Sequence, residues 1–234
     1  MCAYFRRHIG PETLLEFLKL LGFHGYYDEP EQESTVKHFY PAWGDTNRTI
    51  DQLLIEEAGE LKLVNATWWY DCHEVDGYLI GGERETFNAR NLHLPYWHDA
   101  INSRRAIAIV NGIGEGKKID GKNVHFLVES DRLMLLGAVY QRFPSGKYSC
   151  AVITRDEHPR FANYHDKAFP QFLPYSRQFL KLWLSEATVT HPQIARLLSL
   201  PRIFSDLKIT PVKTFKGGVA TGPTNFLKAD RNFN

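Results

Sequence analysis

The stretch RTIDQLLIEEAGELKLVNATWW, residues 48–69, decides the fold class. Apolar and β-branched residues recur on both sides of Ala58-Gly59-Glu60, a turn signal, so it predicts a β-hairpin. Further strands are predicted at RRAIAIV (104–110), KNVHFLVE (122–129), LMLLGAVY (133–140) and YSCAVIT (148–154), with a late one, LKITPVK, that ends at Pro211. Helices are fewer. PETLLEFLKLLG reads as one, with Pro11 in the first turn, Leu14, Leu15, Leu18 and Leu21 on one face, and Gly22 beyond the last turn. YSRQFLKLWLSEA is a second, and THPQIARLLS a third with Thr190 as its N-cap. Many strands with few helices between them argue against a doubly wound α/β fold. The prediction is a single α+β domain over residues 1–214, with a mostly antiparallel, barrel-like sheet and flanking helices. Residues 215–234, rich in Gly, Thr, Asn and Lys and without periodicity, are expected to be a loosely ordered tail.

The composition suits a packed core: 43% apolar and 13% aromatic. A net charge of +1 carries no global polycation or polyanion signal. The charge is uneven, however. From Pro201 to Asn234 six Lys and Arg face two Asp, while Asp28–Glu33 is acidic. A basic end is either a solvated tail or a nucleic-acid contact. The three cysteines, Cys2, Cys72 and Cys150, form no C-x-x-C, which argues against a disulfide framework or zinc site and fits a reducing cytoplasm. Cys72-His73 lacks a second ligand pair, so no metal is expected. No signal peptide and no membrane-spanning run is visible.

Cys2 follows the initiator Met directly. Removal of Met1, favoured by a small second residue, would leave an amine and a thiol on one residue. Their ordinary pKa values, about 8 and about 8.5, leave both partly nucleophilic near neutrality. Such an amine attacks an aldehyde to give a Schiff base, and the adjacent thiol then closes a five-membered thiazolidine. Proton transfers in that sequence call for a His or a carboxylate.

Three segments hold candidates. In FNARN (87–91), Asn88 and Arg90 are either a surface loop or an amide that orients a reacting group beside a guanidinium that holds a phosphate. RRAIAIVNGIGEGKK runs from a strand into Asn111–Gly116. It is either a glycine-rich turn with a solvated Glu, or a close-approach backbone that presents Glu115 at the strand's end, where burial would raise its pKa. AVITRDEHPRFANYHDKAFP ends a strand at Thr154 and carries His158 and His165 on a polar loop, either solvated or in a site.

Taken together, these segments resemble the SOS response-associated peptidase (SRAP) family. Its members begin Met-Cys-Gly-Arg-Phe, here Met1-Cys2-Ala3-Tyr4-Phe5. The family's Asn-Ala-Arg is matched by Asn88-Ala89-Arg90, its Arg-to-Glu strand by Arg105–Glu115, its Ile-x-Thr by Ile153-Thr154, its His-Asp-Arg by His165-Asp166-Lys167, and its late Leu…Pro-Val strand by Leu207–Val212. The resemblance covers nearly the whole chain.

The resemblance implies a β-rich α+β fold and covalent capture of abasic sites in single-stranded DNA through a thiazolidine on Cys2, with lyase activity and N-terminal self-processing. It implies that Asn88 places the nucleophile, that Glu115 and His165 shuttle protons, and that Arg90 and Thr154 hold phosphates. Lys167, where the family has Arg, joins the DNA contacts. Tyr4 replaces a family Arg, for which Arg6 and Arg7 are candidate substitutes. Trp68 and Trp69 echo a Trp-rich loop and are candidates to stack on bases. No cofactor is implied. A cytoplasmic, nucleoid-associated monomer is expected. Two other readings remain open. One is a Cys-dependent N-terminal-nucleophile amidohydrolase of the glutamine-amidotransferase type, with Asn111-Gly112 at an oxyanion. The other is a degenerate SRAP-like domain that binds DNA without reacting, motivated by Ala3, Tyr4 and the glycines beside Glu115.

Overall fold

The structure is a computed structural model that describes residues 3–8, 10–23, 36–185 and 187–230. Cys2 and the acidic segment 28–33 lie outside the described residues. Strand β1 (Phe5–Arg7) precedes helix α1 (Pro11–Leu21) and strand β2 (Lys37–Phe39). The hairpin β3 (Thr49–Glu57) and β4 (Glu60–Thr67) follows, then a small hairpin of β5 (Cys72–Val75) and β6 (Tyr78–Gly81), the short β7 (Asn88–Ala89) and helix α2 (Pro95–Ser103). Next come two long strands, β8 (Arg105–Ile119) and β9 (Lys122–Arg142), and then β10 (Tyr148–Arg155) and β11 (Phe169–Pro170). Helices α3 (Arg177–Leu184) and α4 (Pro192–Ser199) and strands β12 (Leu207–Val212) and β13 (Asn225–Leu227) complete the fold.

β8, β9, β10, β4 and β3 pair in a ring that closes on β8, giving a five-stranded barrel in a single α+β domain. The predicted hairpin is β3–β4. Its turn, Ala58-Gly59, sits at φ 52° and 79°, the left-handed pair that a tight hairpin requires. The run AIAIV of β8 is buried on both faces. Ala106, Ala108 and Val110 fill the narrow barrel, and Ile107 and Ile109 lie under the helices. Small residues point inward because a five-stranded barrel leaves little interior space.

Four helices among the described residues cover one side of the barrel. Leu14 and Leu18 of α1, Trp97 of α2, Trp183 of α3 and Leu197 of α4 share one apolar layer with Ile107 and Ile153. Arg105, fully buried at the start of β8, ties that layer together. Its guanidinium donates to the carbonyls of Ile101 and Asn102 at the end of α2, and of Trp183, Ser185 and Ala187 at the end of α3. Carbonyl oxygens at helix C-termini suit a cation.

Several expectations need correction. KNVHFLVE and LMLLGAVY form one continuous strand, β9, and α2 has no counterpart in the sequence reading. His191, not Thr190, caps α4: Pro192 occupies the first turn and His191 Nδ1 accepts from Gln193 N. Residues 215–230 are not a loose tail. β13 pairs with β12, and Asp230 accepts from Ile203 N–H at 2.8 Å and Arg160 at 2.6 Å, with His158 Nε2 at 3.0 Å. One short edge strand and one carboxylate fix this segment, so it needs no hydrophobic period.

Candidate active site

β8 does not turn at its glycines. It continues through Glu115 to Ile119 and turns only at Asp120-Gly121, so Glu115 sits within the strand and not at its end. A register shift against β9 between Val110 and Gly112 resets the alternation of side chains. Before it the even-numbered residues face the barrel; beyond it Ile113 does, and Glu115 follows Ile113 on that face. Gly112, Gly114 and Gly116 then share the outer face. There Arg6 covers Gly112, and the rings of Tyr4 and Phe215 rest on Gly114 so closely that a Cβ would lie 2.8 Å from either.

β1 is laid along this part of β8. Phe5 pairs with Ile113, and Gly114 N–H donates to Tyr4 O at 2.9 Å. One residue further along each strand stand Ala3 and Glu115. Ala3 packs on the barrel core, and Glu115 is 1% exposed. Tyr4 anchors β1 from the outer side: its hydroxyl lies 2.7 Å from His38 Nδ1 and its ring stacks on Phe215 at 5.1 Å. Burial pushes the Tyr4 phenol up to about 12, so it stays neutral.

The loop after β10 brings His165 back to this end of the barrel. His165 is 4% exposed; its Nδ1 lies 2.8 Å from Gly116 O and 3.5 Å from Glu115 Oε2. A carbonyl oxygen only accepts, so Nδ1 carries the proton and Nε2 keeps its lone pair. Burial holds the imidazole below its ordinary 6.5, which makes it neutral at pH 7. Lys117, two residues on from Glu115, clamps the same loop: its Nζ donates to Ala162 O at 2.5 Å and lies 3.6 Å from Asp166. Tyr164 meets Phe126, the cross-strand partner of Glu115, edge to face at 5.3 Å.

Asn88 pairs with Val152 of β10, whose side chain points into the barrel. Thr154, two residues along, shares that face and is 1% exposed; its hydroxyl has no hydrogen-bond partner among the described residues. Arg90 is exposed and ion-paired to Asp156 at 3.2 Å.

The expected DNA contacts divide. Arg90 and Lys167 are exposed. Arg6 is partly exposed and holds Glu129 at 2.8 Å. Arg7 is buried, and its guanidinium is taken up by Ile109 O, Gln52 Oε1 and Asp51 O. Trp68 is fully buried, stacked on Phe5 at 4.3 Å with Nε1 donating to Phe87 O; Trp69 is buried with Nε1 on Gly82 O. Arg7, Trp68 and Trp69 are therefore core residues, covered by the same packing that closes the barrel. The sequence reading missed Trp43. It is 53% exposed, rests on Phe87 at 4.8 Å and is presented by a left-handed turn with Gly44. Its signal was a lone Trp between turn residues, in PAWGD. Lys117 was missed as well.

The described cysteines are poor nucleophiles. Burial pushes the Cys72 thiol up to about 12, with its Sγ 3.0 Å from Trp69 O, and Cys150 is fully buried and pushed higher still. Asn111, the candidate oxyanion group, is held by its side chain to both the N–H and the carbonyl of His8.

These features define a class: a single-domain α+β barrel with a buried Glu–His pair beside its N-terminal strand. The profile of the SOS response associated peptidase (SRAP) family matches residues 1–216, and the chain belongs to that family. The family's name ties it to the SOS response, a reaction to DNA damage. No curated protein matches the chain in sequence. Among solved structures, a protein from Bordetella bronchiseptica is similar with a TM-score of 0.64 at 16% identity, over 91% of this chain and 100% of its own. One from Bacteroides thetaiotaomicron gives 0.58 at 14%, over 90% and 92%. A phage-related protein from Bordetella bronchiseptica gives 0.58 at 16%, over 99% and 95%. At such identities the likeness shows the fold. No helix among the described residues is long and apolar enough to cross a membrane.

Proposed function

We propose that this protein captures abasic sites in single-stranded DNA covalently, through Cys2. The observation that carries the reading is the register of β1 on β8. It sets Ala3 beside Glu115, and covalent geometry keeps the Cα of Cys2 about 3.8 Å from that of Ala3. This register supports a reading in which the nucleophile works next to the Glu115–His165 pair. With Met1 removed, the Cys2 amine adds to the sugar aldehyde. The carbinolamine hydroxyl takes a proton from the pair and leaves as water. The Cys2 sulfur then bonds to the iminium carbon, giving up its proton, and closes the thiazolidine. One aldehyde and one aminothiol become one ring and one water. The neutral His165 accepts protons at Nε2, and Asn88 orients the reacting carbon. Diversion of the imine to β-elimination would give the lyase activity.

Family membership supports DNA as the partner. Arg90, Thr154, Arg6 and Lys167 are the phosphate contacts in this reading, and Trp43 takes the stacking role first expected of Trp68 and Trp69. The engagement of Asn111 by His8 leaves the amidohydrolase reading without its side-chain oxyanion donor. Intact mass measured before and after mixing with an abasic oligonucleotide tests the proposal. Expected are loss of Met1 and a heat-stable adduct that Cys2→Ala abolishes. Equal adduct from Cys2→Ala sinks it.

A further inference from the structure

On the helix side of β10, away from the barrel interior, lies a cavity of about 440 Å³. The end of β10, the segment between β7 and α2, and helix α4 enclose it. Its size is that of a small-ligand pocket, and its wall is mixed. Leu92, Ile101 and Leu198 supply apolar surface; Arg90 and Arg155 supply donors.

One of those donors stands out. Arg155 is partly buried, and its Nε is fully shielded without a hydrogen-bond partner among the described residues. A shielded donor without an acceptor is costly, and native proteins rarely keep one without a use. A guanidinium fork is matched by a phosphate or carboxylate. Arg90 adds a second guanidinium at the rim, shared with Asp156. The polar requirement is thus an oxyanion, and the apolar wall requires a body of some size attached to it.

We propose that this cavity takes a nucleotide unit, with its phosphate on Arg155 and its base against Leu92 and Leu198. The unit has two sources, a free nucleoside monophosphate or a residue of a bound DNA strand flanking the reacting site. Only the second source rests on the function proposed above. Arg90, a phosphate contact of that reading, lines the same cavity, which makes the strand the natural source.

The full chain is titrated with dAMP while amide NMR signals of Leu92, Ala195 and Leu198 are followed; deoxyadenosine and inorganic phosphate serve as half-ligands. Saturable shifts with dAMP are expected, with either half binding at least about tenfold more weakly. Arg155→Met removes the fork and Leu198→Trp fills the cavity, and each is expected to weaken dAMP by about tenfold or more. Neither residue belongs to the proposed reaction site, so Leu198→Trp reports on the cavity even if Arg155→Met perturbs β10. An undamaged oligonucleotide separates the sources: displacement of dAMP assigns the cavity to the strand, and dAMP binding without displacement assigns it to the free nucleotide. No shift with either ligand, or shifts that survive both variants, overturns the proposal. Because the assay needs neither Cys2 nor an abasic site, failure of the capture chemistry does not affect it.

Discussion

His165 Nδ1 stands 3.5 Å from Glu115 Oε2, on a loop that bends back to the strand bearing the carboxylate. Burial keeps this imidazole neutral down to below its ordinary pKa of 6.5. The acid limb of the crosslinking rate is therefore expected below pH 6.5, and His165→Gln should cost about 10²–10⁴ in rate. Linkage gives a stability consequence with the same sign. A folded-state pKa below the unfolded one means that the unfolded chain binds more protons as pH falls through 6.5, so His165 makes the protein lose stability in that window. Melting curves of wild type and His165→Gln from pH 7.5 to 5 check it; equal slopes would refute it.

Lys117 holds the His165 loop through Ala162 O and Asp166. Lys117→Met is expected to slow crosslinking by about tenfold, while stability changes by only about 1 kcal/mol. Lys117→Arg restores most of the rate, since it keeps both contacts. In the background of His165→Gln the Met substitution should add little, because the two residues act through one position. Single-turnover rates of wild type, the three single variants and the double variant decide this; full additivity would place Lys117 in an independent role.

Gly114 has Tyr4 and Phe215 within 2.8 Å of where a Cβ would sit. Gly114→Ala should destabilise by about 1–3 kcal/mol through overpacking and disturb the seating of β1. Phe215→Ala in the same chain opens one side, so the double variant should recover part of the loss. Chemical denaturation of the three proteins is the measurement.

Thiol reactivity should map to one position. Cys72, pushed up to about 12, and Cys150, fully buried, should label slowly in the native protein at pH 7.5. Brief alkylation followed by peptide mapping is expected to find the fast label on Cys2. Fast labelling of Cys72 would show that its environment is more open than the fold indicates.

Trp43 and Trp68 should separate binding from folding. Trp43→Ala is expected to weaken single-stranded DNA by about 1–3 kcal/mol with a small change in melting temperature. Trp68→Ala is expected to cost about 3–5 kcal/mol of stability. Fluorescence anisotropy with a labelled oligonucleotide and thermal melts distinguish the two.

Local signals carried much of the fold. The period of α1, its Pro start and its Gly22 cap are visible in eleven helical residues and their flanks, and Gly22 adopts φ 87° as its position demands. The hairpin at Ala58-Gly59 was equally legible. The glycines of β8 were only half legible, because their use is tertiary. They read either as a turn or as a close-approach backbone at the strand's end; they are mid-strand residues whose missing side chains make room for Tyr4, Arg6 and Phe215. Arg7, Trp68 and Trp69 misled: a cation or a pair of indoles reads as surface until packing covers it.

The sequence by itself determined the strand-rich class, the turn positions and the residue types able to move protons near a nucleophile. Only the tertiary structure decided which way those residues face. Side chains in a strand alternate with a period of two, so the register shift between Val110 and Gly112 moves Glu115 from the helix side to the barrel side, and no local pattern marks it. The contact of Glu115 with His165 likewise exists only because the loop after β10 folds back over the end of the barrel, a long-range closure whose partners are far apart in the chain.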